Sequence, residues 1–366
     1  MAQVADVLRA LEALAPPAFA YANDRIGLQV GDPEQSVSKA LVCLDASRPA
    51  IAEAIATGCQ LIVAHHPVIW DPIKRLVRGD GDGERAWALA RAGISLMAAH
   101  TNWDAARDGV NDELAQRVGL TDGEPFGTGT ARPRWKLVVF VPRAHGAAVL
   151  DALAQAGAGK VGNYDRCAFV QEGMGTFRPL DGANPTVGQV GVVQQVIEDR
   201  IELVVADDRK SAVESALRAI HPYETPAFDW VRLAEEVPMP IGRIGNLPQP
   251  VALSTLASHV GTGLGTKCWT WGPPNHLVER VAVVGGSGGS EWSAAWRAGA
   301  QVLLTGEVRH NEAVAATDAG MALMAAGHYA TEQPGVEVLA RHLTNGISNV
   351  AWTVYAPPLG EGGRNW

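Results

Sequence analysis

Cysteine is scarce in this chain. Cys43, Cys59, Cys167 and Cys268 lie far apart in apolar contexts, and none belongs to a CxxC pair. That excludes a disulfide framework or a thiolate zinc site as the organising feature and fits reduced residues of a cytoplasmic protein. Positive charge is also short: 30 Lys and Arg face 39 Asp and Glu, a net charge of −9. A nucleic-acid backbone as the main partner needs a basic face, which this balance does not supply. No apolar run approaches the roughly 18 residues of a membrane span, so no membrane association is expected. Charged residues make up only 19% against 47% hydrophobic, which leaves little room for long disorder. The N-terminus lacks a basic region before its apolar segment. Val4, Val7, Leu8, Leu11 and Leu14 instead recur at helical spacing until Pro16-Pro17. What remains is a folded chain of 366 residues, enough for two to three domains at roughly 150 residues each.

Two kinds of repetition run through it. Gly58-Cys59-Gln60-Leu61-Ile62-Val63-Ala64-His65-His66 aligns without gaps on Gly299-Ala300-Gln301-Val302-Leu303-Leu304-Thr305-Gly306-Glu307. Further on, the segment Ala92 to Ala99 matches Ala319 to Ala326 at six of eight positions. The first of these runs into His100-Thr101-Asn102-Trp103-Asp104, the second into His328-Tyr329-Ala330-Thr331-Glu332. Helix, glycine, continuous apolar strand and polar turn is the rhythm of an α/β layer covered on both faces. Ligands of such sheets gather beyond the carboxyl ends of the strands. Two related lobes facing each other are therefore expected to bring both polar sets into one cleft.

The second repetition lies in the middle. Trp135 to Val141 reads as a strand followed by a helix from Ala144 to Ala156; Ile201 to Val205 reads as a strand followed by a helix from Arg209 to Ile220. Two strand–helix units with Gly/Pro-rich hairpin material between them predict a ferredoxin-like double βαβ sandwich. Gly127-Thr128-Gly129-Thr130 and Glu235-Glu236-Val237-Pro238-Met239-Pro240 mark its edges. The expected organisation is a discontinuous domain of residues 1–130 and 238–366, interrupted by an inserted domain of residues 131–237.

The chemistry-bearing residues follow strand ends. In Ala64-His65-His66-Pro67, neighbouring side chains on a strand would point to opposite faces, so both histidines serve one site only where Pro67 breaks the strand. Asp104 stands where a helix N-cap also fits. His328 and Glu332 precede Pro334, which is expected at the first position of a last helix from Val336 to Leu343. Imidazole with carboxylate suits divalent Zn, Fe, Mn or Ni. His65, His66, Asp104, His328 and Glu332 are too many for one catalytic ion with an open position and too few for two separate shells. Two divalent ions per subunit sharing a bridging carboxylate and water, roughly 3.5–4 Å apart, fit the number.

Glu307 and His310 follow the strand equivalent to the one carrying His65. They are expected to face the same cleft without being needed as ligands, and so to orient a ligand or move a proton; a surface ion pair is the alternative. His100 is read in the same way. Gly285-Gly286-Ser287-Gly288-Gly289-Ser290 invites comparison with a phosphate cradle, but Glu291 breaks the G-x-G-x-x-G pattern. Trp292 and Trp296, at i,i+4, read as core.

These motifs resemble the Nif-three-like family of dinuclear metal-centre proteins, often labelled homologues of GTP cyclohydrolase I type 2. Asn23-Asp24-Arg25-Ile26-Gly27-Leu28-Gln29-Val30-Gly31-Asp32 is similar to its N-terminal signature. The segments around His65, His100, Glu307 and His328 match its metal motifs in order. Gly162-Asn163-Tyr164, Glu172 to Pro179 and His221-Pro222-Tyr223-Glu224 resemble the PII-like insert of its longer members. Ala330 and Trp103 depart from the usual pattern at positions that are not ligands. The resemblance implies that His65, His66, Asp104, His328 and Glu332 bind the two ions. It implies a toroidal homohexamer with the sites facing an internal cavity and the inserts capping it. It also implies hydrolytic opening of a purine nucleotide ring by a metal-bridging hydroxide, with His100, Glu307 or His310 shuttling the proton. The competing expectation is a non-enzymatic assembly that stores or delivers metal and senses a ligand through its insert.

Overall fold

The computed structural model describes residues 2–127 and 130–357; Thr128 and Gly129 of the expected boundary lie outside the described residues. The architecture is mixed α/β, with eleven α-helices among the described residues. The chain forms two compact units, one made of the segments up to Thr130 and from Pro238, the other of Ala131–Val237.

The first unit holds two larger sheets. A five-stranded sheet has the order Ala351–Val354, Lys39–Cys43, Leu61–Ala64, Ser95–Ala98, Gly27–Val30, and only the last strand runs antiparallel to its neighbour. A six-stranded sheet has the order Trp269–Trp271, Ala322–Ala325, Val302–Thr305, Leu277–Val284, Gly242–Ala252, Thr121–Phe126. Its Leu277–Val284, Val302–Thr305 and Ala322–Ala325 strands are parallel.

Both sheets are buried on two faces, and the alternation of side chains divides each into two cores. Val42, Leu61, Val63 and Met97 enter one core, while Leu41, Cys43, Ile62, Ala64 and Leu96 enter another. Val283, Val302, Leu304 and Met324 are likewise separated from Ala282, Val284, Leu303 and Leu323. Each such Leu, Ile or Val contributes about 1.5–3 kcal/mol by leaving water. Helix Val110–Val118 joins the two sheets, because Val110 enters the core of the first and Leu114, Ala115 and Val118 that of the second. Ala64 pairs with Cys43 and Thr305 with Val284, so the repeated segments occupy corresponding strand positions.

The last helix differs from its expected course. It runs from His328 to Gly346, and Pro334 lies inside it rather than at its start. Tertiary burial outweighs the proline: Thr331, Glu332, Gln333, Pro334, Gly335 and Val336 are all buried, and the Trp103 indole donates to the Gly335 carbonyl at 3.0 Å. His328 and Glu332 consequently sit one turn apart on one helix face. Trp296 also departs from expectation. It is 50% exposed, while Trp292 is only partly buried against a core.

In the second unit, the order Phe228–Met239, Thr130–Pro142, Gln194–Ala206, Ala168–Phe177 is that of a β-α-β-β-α-β chain. Helices Gly146–Gln155 and Lys210–Ile220 cover one face, where Leu137, Val139, Val141, Ile201, Leu203 and Val205 meet Val149, Leu153, Val213 and Leu217. Strand Ala168–Phe177 has no buried face, which is why its sequence carries no alternating signal.

Candidate metal centre

Four histidines and two carboxylates converge at the strand ends of the first unit. His65 and His66 follow Leu61–Ala64, and His100 and Asp104 follow Ser95–Ala98. His328 and Glu332 follow Ala322–Ala325. Glu332 is central: its Oε2 lies 3.0 Å from His66 Nε2, 3.0 Å from His328 Nε2 and 3.9 Å from His65 Nε2. His65 Nε2 is 3.5 Å from Asp104 Oδ1. Three groups have ligand atoms within 4.8 Å of one another: His65–His66–His100, His66–His328–Glu332 and His65–Asp104–Glu332.

Each imidazole is anchored from behind. Nδ1 of His65 donates to the Ala99 carbonyl at 2.8 Å. Nδ1 of His66 is held by Asp45 at 2.8 Å, that of His100 by Asp24 at 2.8 Å and that of His328 by Glu307 at 3.1 Å. An acceptor on Nδ1 leaves Nε2 facing the cluster, the arrangement in which histidine binds a metal. Asn111 braces the site from below, donating to the Asp104 and Ile241 carbonyls and accepting from the Gly285 amide.

The electrostatics are those of too much negative charge in too little water. Burial depresses the His65 pKa to about 3, so this imidazole is neutral. Burial opposes charge on His66 and His328 too, but the hydrogen bonds that His66 donates to Asp45 and Glu332 outweigh it and raise its pKa to about 10. Glu332 does the same for His328, raised to about 9. Burial and the neighbouring Glu332 push Asp104 well above the usual carboxylate range. Glu332, despite its own burial, is held well below that range by His328 and His66. Two buried carboxyls driven in opposite directions behave as like charges sharing one site. Protons here stand where positive charge is wanted. The donor set fits divalent cations on a second ground: His65 Nε2 and Asp104 Oδ1 are buried and have no hydrogen-bond partner. Such atoms are costly unless something pairs with them.

Comparison with known proteins agrees on one family. Residues 2–357 match Duf34/NIF3 (NGG1p interacting factor 3). The chain belongs to the Duf34/NIF3 family. It is 38% identical to the GTP cyclohydrolase 1 type 2 homolog of Mycobacterium leprae, over 99% of this chain and 96% of that one. Identity to the protein of the same name from Bacillus subtilis is 36%, covering 93% and 91%. The crystal structure of a Bacillus cereus protein related to NIF3 superposes with a TM-score of 0.75 at 33% identity, covering 97% of each chain.

The remaining expected residues of this Duf34/NIF3 chain fall into different places. Glu307 bridges Ser287, whose hydroxyl donates to it at 2.6 Å, and His328. His310 is exposed at the start of its helix and belongs to none of the three clusters found among the described residues. His100 stands closer than a bystander, its ring 5.3 Å from that of His65 and 5.5 Å from that of His66.

Two carboxylates escaped the sequence reading. Asp24 accepts from His100 and from the Thr101 amide, and these bonds outweigh its burial and hold its pKa at about 2. Asp45 grips His66. Its place just past the strand Lys39–Cys43, beyond a carboxyl end, was the available signal. The glycine-rich loop also has a local explanation. A Cβ on Gly286 would lie 2.0 Å from Glu332 Oε1, so this segment makes room for the central carboxylate. At the rim, Trp70 is 44% exposed and meets His100 edge-on at 5.8 Å. Arg25 donates to its carbonyl, and Gln29 accepts from the Val68 and Ile69 amides.

Proposed function

We propose that this protein holds two divalent cations and hydrolyses a purine nucleotide. His66 with His328 and His65 with Asp104 would hold one ion each, and Glu332 belongs to both groups. The observation that carries the reading is a pair of buried ligand atoms that make no hydrogen bond, His65 Nε2 and Asp104 Oδ1. Divalent cations in such a site supply Lewis acidity for hydrolysis. The chain does the rest. Glu307 orients His328 through Nδ1. His100, tied to Asp24 through Nδ1, keeps Nε2 to take a proton and return it to solvent. Trp70 offers an exposed ring on which a planar base stacks. The relatives' name, GTP cyclohydrolase 1 type 2 homolog, supports a guanine nucleotide as the first substrate to try. The second unit is read as PII-like, and the assembly as a homohexamer.

Metal analysis of the purified protein, followed by turnover on a nucleotide panel with and without chelator, tests this. Two ions per chain and chelator-sensitive consumption of GTP or another purine nucleotide are expected. Two ions with no turnover of any nucleotide would favour metal storage or delivery. A protein that neither carries nor takes up divalent metal would overturn the whole reading.

A further inference from the structure

Two segments of the second unit play no part in the centre above: Gly175-Thr176-Phe177-Arg178-Pro179 and His221-Pro222-Tyr223-Glu224. They meet at a cavity of about 250 Å³, lined by Phe177 and Pro179 from one and by Tyr223 and Glu224 from the other, with Pro185 and Val187 completing an apolar wall. Glu198 stands in that wall although it is only 8% exposed. It alternates out of phase with the core residues Ile201, Leu203 and Val205, which places it on the sheet face away from the helices.

The surroundings of Glu198 are built. The Tyr223 hydroxyl donates to its Oε1 at 3.0 Å; burial and this bond raise the phenol pKa, so it stays a donor. His221 fixes the segment, its Nε2–H donating to the Phe140 carbonyl at 3.0 Å while Nδ1 accepts from the Tyr223 amide at 3.1 Å. A Cβ on Gly175 would fall 2.1 Å from Glu198 Oε2, so glycine there keeps that oxygen its space. Yet the Tyr223 hydroxyl is the one donor Glu198 has among the described residues, and no Lys or Arg pairs with it.

A carboxylate this buried, with one donor and no paired Lys or Arg, is costly unless something in the cavity meets its free oxygen. Its missing partner is a cation. A metal ion does not suit the place, because no three ligand atoms gather here among the described residues and Phe177, Pro179, Pro185 and Val187 offer none. We propose that this cavity binds a small organic cation, an amine or amidine with a compact apolar body, whose N–H groups pair with Glu198.

Isothermal titration of the full-length protein with benzamidine, benzyl alcohol and benzoate tests the charge requirement without any variant. Benzamidine is expected to bind, benzyl alcohol more weakly and benzoate not at all. Glu198→Gln, nearly isosteric, should weaken benzamidine by at least about tenfold without lowering the melting temperature of the free protein. Tyr223→Phe, which keeps the carboxylate, should retain binding. Benzoate or benzyl alcohol matching benzamidine would overturn the proposal. So would an unchanged affinity in a folded Glu198→Gln protein, or no benzamidine binding at millimolar concentration.

Discussion

Glu332 faces three histidines, whereas Glu307 touches one of them from behind, and this difference separates their roles. Glu332→Gln and Asp104→Asn should each empty the centre, because the central charge or a buried ligand is gone. Glu307→Gln should leave metal bound, with affinity or turnover lowered about 10–100-fold, the usual effect of an orienting partner. Metal content and chelator competition on the three variants check this; a Glu307→Gln protein as empty as Glu332→Gln would make Glu307 a ligand. Trp70→Ala should raise KM for the nucleotide about 5–150-fold, the loss of one stacked base at about 1–3 kcal/mol, and leave metal content unchanged.

His221 makes a different residue-scale prediction. Burial lowers its pKa below 6.5, and its Nδ1 lone pair already accepts the Tyr223 amide, so the folded state refuses a proton that the unfolded chain takes near 6.5. Its contribution to stability is therefore complete above pH 6.5 and declines as pH falls below it. Melting temperatures of wild type and His221→Gln, measured in chelator from pH 7.5 to 5.5, should converge as the solution becomes more acidic. A constant difference would show that His221 does not titrate in this way.

At the scale of the element, two glycines with left-handed backbones separate conformational from steric demand. Gly58 ends the helix Arg48–Thr57 at φ 70°, and a Cβ there meets nothing within 4 Å. Gly286 has φ 62°, and a Cβ there would strike Glu332. Gly58→Ala should cost about 1–2 kcal/mol and spare the metal. Gly286→Ala should carry a similar backbone cost and also displace Glu332, so that metal binding falls with stability. Thermal melts and metal content of the two variants decide the matter. The lobes explain the contrast, since Asp45 and Gly286 each stand two residues beyond the paired strand ends Cys43 and Val284. One lobe supplies a carboxylate to His66 where the other supplies space.

At the scale of the molecule, the division of the chain suggests that the centre does not need the inserted unit. All its residues lie before Thr130 or after Pro238, and the sheets that carry them are buried by side chains of those same two segments. Replacing residues 131–237 by a Gly/Ser linker should leave a soluble protein that still binds divalent metal; insoluble or metal-free product would count against it. Metal binding should also stabilise the full chain, by about 2.7 kcal/mol at a hundred times Kd, read as a rise in Tm that chelator reverses.

Much of this protein is local pattern. The short runs Leu61–Ala64 and Val302-Leu303-Leu304, each beginning three residues after a glycine and followed by polar residues, determined strand, turn and the position of His65, His66 and Glu307 without reference to the rest of the fold. The same holds for the helix Lys210–Ile220, whose apolar residues repeat along one face. What lies between distant segments was not in that pattern. Asp24 reaches His100 across 76 residues through the pairing of neighbouring strands in one sheet, and His66 reaches Glu332 across 266 only because elements of the two sheets meet. Pro334 reads locally as a helix start, but burial of the turn before it lets the helix begin at His328. Glu198 carries no signal in its strand; it becomes a buried charge only when the segments from Phe177 and Tyr223 close over it. Sequence alone determined which side chains end each strand. The tertiary structure decided which of them share a site, because charge, burial and hydrogen-bond geometry belong to pairs of residues that the chain holds far apart.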